Sequence, residues 1–192
     1  MSGRVRLLAP AVLTLITAGV QLGVGGDSDN VVRGRFPEPN PGDYDVFVSY
    51  CPKDQRFWKE IDTYLVNIRR EKARIYSHKT LRAGAKIQEE VRSALMSSVV
   101  AVLLLSQAYI ASELMEQELP DLLDRVEQGT LILTLHVGKF DTYNLGRIAQ
   151  YQRVGAEYKP LNKLEPADRE EVYMELVTEV RNSLIKCGRH HG

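Results

Sequence analysis

The spacing of apolar positions changes repeatedly along this chain, and each change marks an element. "YDVFVSY" (44–50) is a short apolar and β-branched run, which predicts a strand buried on both faces. Phe57, Ile61, Tyr64, Leu65 and Ile68 then recur at helical spacing with charged residues between them. "ARIYS" predicts a weaker second strand, and Gly84 opens a second helix with Ile87, Val91, Ala94 and Leu95 on one face. "VVAVLLLS" is the strongest strand signal and predicts the centre of a sheet. Met115, Leu119, Leu122, Leu123 and Val126 stripe a third helix, and "TLILTLHV" predicts a fourth strand. Lys139 to Pro160 is weakly patterned, with a short helix near "LGRIAQY" and an edge strand near "VGAEY". A long helix runs from Pro166 to Lys186 and turns Val172, Leu176, Val180 and Leu184 inward.

Strands alternating with helices imply a flavodoxin-like α/β fold, a three-layer sandwich around a four- to five-stranded parallel sheet. In such sheets the binding crevice lies beyond the carboxyl ends of the strands, where strand order reverses. The loops after "FVSY", "RIYS" and "LLLS" are expected there, and so is the start of the third helix, "SELMEQELPDLL". Ser112 is suited to cap that helix, close to capping-box spacing with Glu116, and Glu113 and Glu116 suit its positive end. Glu118 lies one turn further in and reads either as a solvated carboxylate or as an exposed rim carboxylate with a chemical task.

The pattern assigns residues 43–187 to the domain, 1–42 to an apolar segment plus linker, and 188–192 to a tail, His190 and His191 included. "GRFPEPNPGD" ends the first part, because its prolines and glycines cannot continue a regular element. Residues 7–26 are uncharged and apolar behind Arg4 and Arg6. They read as a signal, an anchor or a start not belonging to the fold, and leave weak membrane association open. Acidic and basic residues balance at 25 each, and the basic ones are scattered, which argues against nucleic acid as a partner. Cys51 and Cys187 stand far apart, in neither a zinc spacing nor a disulfide framework, so no metal is expected and a reducing compartment is favoured. The chain lacks G-x-G-x-x-G, the P-loop and G-x-S-x-G patterns. "FVSYC" and "LLLSQ" also lack the acidic residues a receiver domain places after those strands.

Four segments in order resemble the TIR (Toll/interleukin-1 receptor) domain, and particularly stand-alone bacterial TIR proteins. "YDVFVSY" is similar to the family's [FY]-D-[AV]-F-[IV]-S-[YH], and "LRAGAKIQEEVRSALMSS" to its BB loop and following helix. "VVAVLLLSQAYIAS" is similar to the strand ending in L-S-x-x-[YF]-x-x-S, and "SELMEQEL" fits S-x-W-C-x-x-E-L at serine, glutamate and leucine.

The resemblance implies two functions. Some TIR domains are non-catalytic adaptors that associate homotypically through the BB loop; others cleave NAD+ between nicotinamide and ribose. In the second case Glu118 holds the position of the essential glutamate, with NAD+ as substrate and no cofactor. Tyr50, Trp58 and Tyr76 are then candidates to stack the nicotinamide, and Lys53 and Arg82 to hold phosphates. His78, Gly84 and Ser106 complete the expected substrate rim. Leu114 and Met115 replace the family's tryptophan and cysteine, and Ser77 and His78 stand where an acidic residue is usual. An NAD+-cleaving domain is expected in the cytoplasm, where its substrate is, with membrane association through the N-terminal segment as the alternative.

Overall fold

A computed structural model describes residues 43–77, 87–141, 146–148, 150–155 and 157–189. The expectations for residues 1–42, for His78, Arg82 and Gly84, and for the two terminal histidines lie outside them.

Five parallel strands form one sheet: β1 (Val46–Tyr50), β2 (Ile75–Ser77), β3 (Val100–Leu105), β4 (Leu131–His136) and β5 (Gln152–Arg153), in the order β2-β1-β3-β4-β5. Strand order reverses between β1 and β3, whose register pairs Ser49 with Leu103 and Tyr50 with Leu104. Among the described residues, six helices cover it: α1 (Gln55–Tyr64), α2 (Val66–Arg70), α3 (Ile87–Ser97), α4 (Gln107–Ile110), α5 (Glu113–Glu127) and α6 (Pro166–Lys186).

Strand alternation sorts the side chains into two cores. Val46, Val48 and Tyr50 face α1, α2 and α6, together with Val100, Val102, Leu104, Leu133 and Leu135. Phe47, Ala101, Leu103 and Leu105 face the other way, onto α3, α4 and α5. Every residue of β1 and β3 is buried, as expected of strands covered on both faces.

The structure departs from the sequence expectations at several places. The helical run after β1 breaks at Leu65 into α1 and α2 and ends at Lys72, which has positive φ (68°). The edge strand is Gln152–Arg153, just before "VGAEY". Gly155 stops it: its φ of +66° leaves the β region, and a Cβ there would meet Val172 Cγ1 at 2.9 Å. Ser112 has N-cap geometry but does not cap α5 through its side chain. Its hydroxyl turns back and donates to the Tyr109 carbonyl at 2.6 Å, closing α4 instead. Arg189, in the expected tail, is buried with its guanidinium 3.9 Å from Asp45. Among the described residues, no helix is long and apolar enough to cross a membrane.

Candidate active site

Glu118 is not an exposed rim residue. It is 4% exposed and lies on the buried stripe of α5, between Met115 and Leu122. Positions 115, 118 and 122 face one way on a helix, so the stripe itself carries the carboxylate to the sheet.

Its partner is Ser49, whose hydroxyl donates to Glu118 Oε2 at 2.6 Å. In β1 the side chains alternate, so Ser49 points to the α5 face while Tyr50 points away. Ser49 is the fourth residue of a five-residue strand beside the reversal of strand order. The carboxylate therefore sits at the carboxyl end of the sheet.

Two phenols complete the cluster. Tyr109 of α4 is 1% exposed, and burial, then the charge of Glu118, raises its pKa; its bond with Ser49 opposes this. Tyr76 of β2 is raised by burial first and by Glu90, Tyr44 and Glu118 after it. Its ring stacks on Phe47 at 5.6 Å, nearly parallel, and meets Tyr44 edge-on at 5.1 Å. Both tyrosines thus stay neutral near physiological pH.

Of the residues expected at the site, Tyr76 alone among the aromatics flanks Glu118. Tyr50 and Trp58 stack on each other at 5.6 Å in the opposite core, 3% and 2% exposed, which corrects their assignment to a nicotinamide platform. The reason is parity: Tyr50 is one residue from Ser49 and so on the other face of β1.

Ser106 is buried and doubly engaged. Its hydroxyl accepts from Tyr109 N at 3.0 Å, capping α4, and donates to Asp54 Oδ2 at 2.6 Å. It positions Tyr109 and ties the end of β3 to the turn after β1. Lys53 is exposed and lines a separate crevice at the ends of β1, β3 and β4, with Ser106 at its floor.

Sequence reasoning missed Ser49 and Tyr109, although both stand inside the quoted segments "FVSY" and "SQAYIAS". The parity of β1 was the available signal for Ser49; the three-residue spacing from Ser106 was the one for Tyr109. Among the described residues, no group of three His, Cys, Asp or Glu side chains is placed to hold a metal.

The sheet order defines a flavodoxin-like α/β protein that carries a buried carboxylate beside the reversal of strand order. The model of the TIR domain family matches residues 46–165, and the chain belongs to that family. Among solved structures, it is similar to the crystal structure of the RPS4 and RRS1 TIR domain heterodimer. That match has 12% identity and a TM-score of 0.49, covering 73% of this chain and 97% of that one. It is also similar to the TIR domains of the activated Roq1 resistosome, which directly recognises the pathogen effector XopQ. There the identity is 21% and the TM-score 0.42, over 72% of this chain and 84% of that one. No curated protein matches the sequence.

Proposed function

We propose that this TIR domain cleaves NAD+ between nicotinamide and ribose, with Glu118 as its catalytic residue, in an immune or effector signalling role in the cytoplasm. The observation that carries the reading is a carboxylate held in one orientation by Ser49 at the carboxyl end of the sheet, in register with the family glutamate.

Cleavage of an N-glycosidic bond develops oxocarbenium-like charge on the ribose. A fixed carboxylate beside the ring stabilises that charge and accepts hydrogen bonds from the ribose hydroxyls. Nicotinamide leaves as a neutral base from a pyridinium cation, so the step needs no strong general acid. Ser49 orients the carboxylate, and the neutral phenols of Tyr76 and Tyr109 pack around it without adding competing charge. Burial strengthens the attraction between Glu118 and the cationic substrate.

Incubating the full chain with NAD+ and measuring free nicotinamide tests the reading. Release that disappears in Glu118→Gln supports it, and absence of release from the native chain refutes it. The alternative, a non-catalytic module that associates with other TIR domains, draws on Met115. This residue replaces the family cysteine, is 6% exposed and packs in the core beside Leu122 and Tyr109. Self-association belongs to both readings and is tested by sedimentation of the full chain: dimers or larger species are expected, and a monomer at all concentrations rules it out.

A further inference from the structure

A crevice lies beyond the ends of β1, β3 and β4, with a volume of about 360 Å³. This is within the range of small-molecule sites, ~300–1,000 Å³. Lys53, Arg56 and Lys139 converge on it from three different places: the turn after β1, the start of α1 and the loop after β4. The carboxylate among them, Asp54, is 8% exposed and accepts the Ser106 hydroxyl at 2.6 Å. The lining side chains thus carry a net charge of two positive.

Neutral donors point the same way. Gln107 Oε1 accepts from Asp141 N at 3.0 Å, which leaves its amide nitrogen as the group available to the crevice. Asn162 Nδ2 lies 3.2 Å from where a Cβ on Gly138 would stand, so the absence of a side chain at 138 lets this amide close over the backbone. Cations and amide donors around a small polar cavity are the chemistry of a phosphate site.

The crevice is separate from Glu118. Its lining includes neither Glu118 nor Ser49, Tyr76 or Tyr109; Phe57 and Val137, which line it, belong to the core under α1 and α6, and Ala108, which also lines it, packs on the opposite core. We infer that this crevice binds the diphosphate group of a ligand distinct from the molecule held at Glu118, a nucleoside diphosphate or a molecule containing one. The inference goes beyond the cleavage reading and does not need it.

Inorganic pyrophosphate titrated calorimetrically into the full chain tests the site. Saturable 1:1 binding that weakens with added salt is expected. Arg56→Gln and Lys139→Gln are each expected to weaken it about threefold (~0.65 kcal/mol), while leaving the unfolding temperature unchanged. Failure of pyrophosphate to bind, or equal affinity in the double variant, overturns the proposal. A second arm measures NAD+ binding to the Glu118→Gln chain with and without saturating pyrophosphate. Unchanged NAD+ affinity supports a separate ligand. Competition assigns the crevice to the substrate's own diphosphate and overturns it. The pyrophosphate arm reads a ligand that is not cleaved, so its result is independent of whether Glu118 is catalytic.

Discussion

Replacing Glu118 separates catalysis from packing, because two substitutions change different things. Glu118→Ala removes a 4% exposed carboxylate, the acceptor of the 2.6 Å Ser49 bond, and leaves a void between α5 and β1. A hydrogen bond to a charged group is worth ~1.5–3 kcal/mol, and stranding the Ser49 hydroxyl adds to the loss. Relief from burying a charge beside two neutral phenols works in the opposite direction. A net cost of ~2 kcal/mol is expected, which lowers Tm by about 4–8 °C for a chain of this size. Glu118→Gln keeps the shape and an oxygen for Ser49, so it costs less than ~1 kcal/mol. On the proposed mechanism it still abolishes the charge that would stabilise the ribosyl cation, and a loss of one such electrostatic contact typically slows a reaction ~100-fold or more. Nicotinamide release followed by chromatography, beside thermal unfolding of the same samples, reads both effects. Near-native Tm with lost activity in the glutamine variant is the expected signature. A glutamine variant that releases nicotinamide at the native rate refutes the role of the charge. An alanine variant as stable as the native chain refutes the packing argument.

Other consequences are equally open to measurement. Ser106→Ala breaks both the cap on Tyr109 N and the bond to buried Asp54, so a loss of ~1–3 kcal/mol and slower nicotinamide release are expected; an unchanged Tm refutes this. Gly155→Ala forces a side chain into φ +66° and to 2.9 Å from Val172, and should cost more than ~1 kcal/mol in chemical unfolding. If the alanine variant unfolds at the same denaturant concentration, the turn is not strained. Burial, then the charge of Arg153, pushes the His136 pKa down to about 4 from its usual 6.5. The folded state thus resists protonation of His136: its share of stability is complete above pH 6.5 and is lost as pH falls toward 4. His136→Gln should therefore flatten the stability profile between those values, and an unaltered profile contradicts the assignment.

What the sequence determined by itself is the order and type of elements. Period-2 and period-3.6 apolar spacing are local consequences of backbone geometry, so β1, β3 and β4 fall inside "YDVFVSY", "VVAVLLLS" and "TLILTLHV", and α6 on the run from Pro166 to Lys186. Parallel pairing follows, because strands joined by helical crossovers pair side by side in one direction. The family glutamate was legible in the same way, as a residue type at a fixed spacing after a serine. Its environment was not. Burial depends on which helix face meets the sheet, and the stripe of Met115, Leu119, Leu122, Leu123 and Val126 left Glu118 outside. Tertiary packing selected Met115, Glu118 and Leu122 for the buried face, and Ser49, 69 residues away in sequence, supplied the hydrogen bond that a buried carboxylate requires. The parity that turned Ser49 toward Glu118 sent Tyr50 and its stacking partner Trp58 into the other core. Gly155 turns the chain out of β5 with its φ of +66°, at a place where a Cβ would meet Val172 of α6 at 2.9 Å, a neighbour no local pattern at residue 155 contains. Periodicity reports a residue's neighbours within one turn or one strand; the groups that decide whether a charge is buried, paired or available come from distant segments, and only the folded chain brings them together.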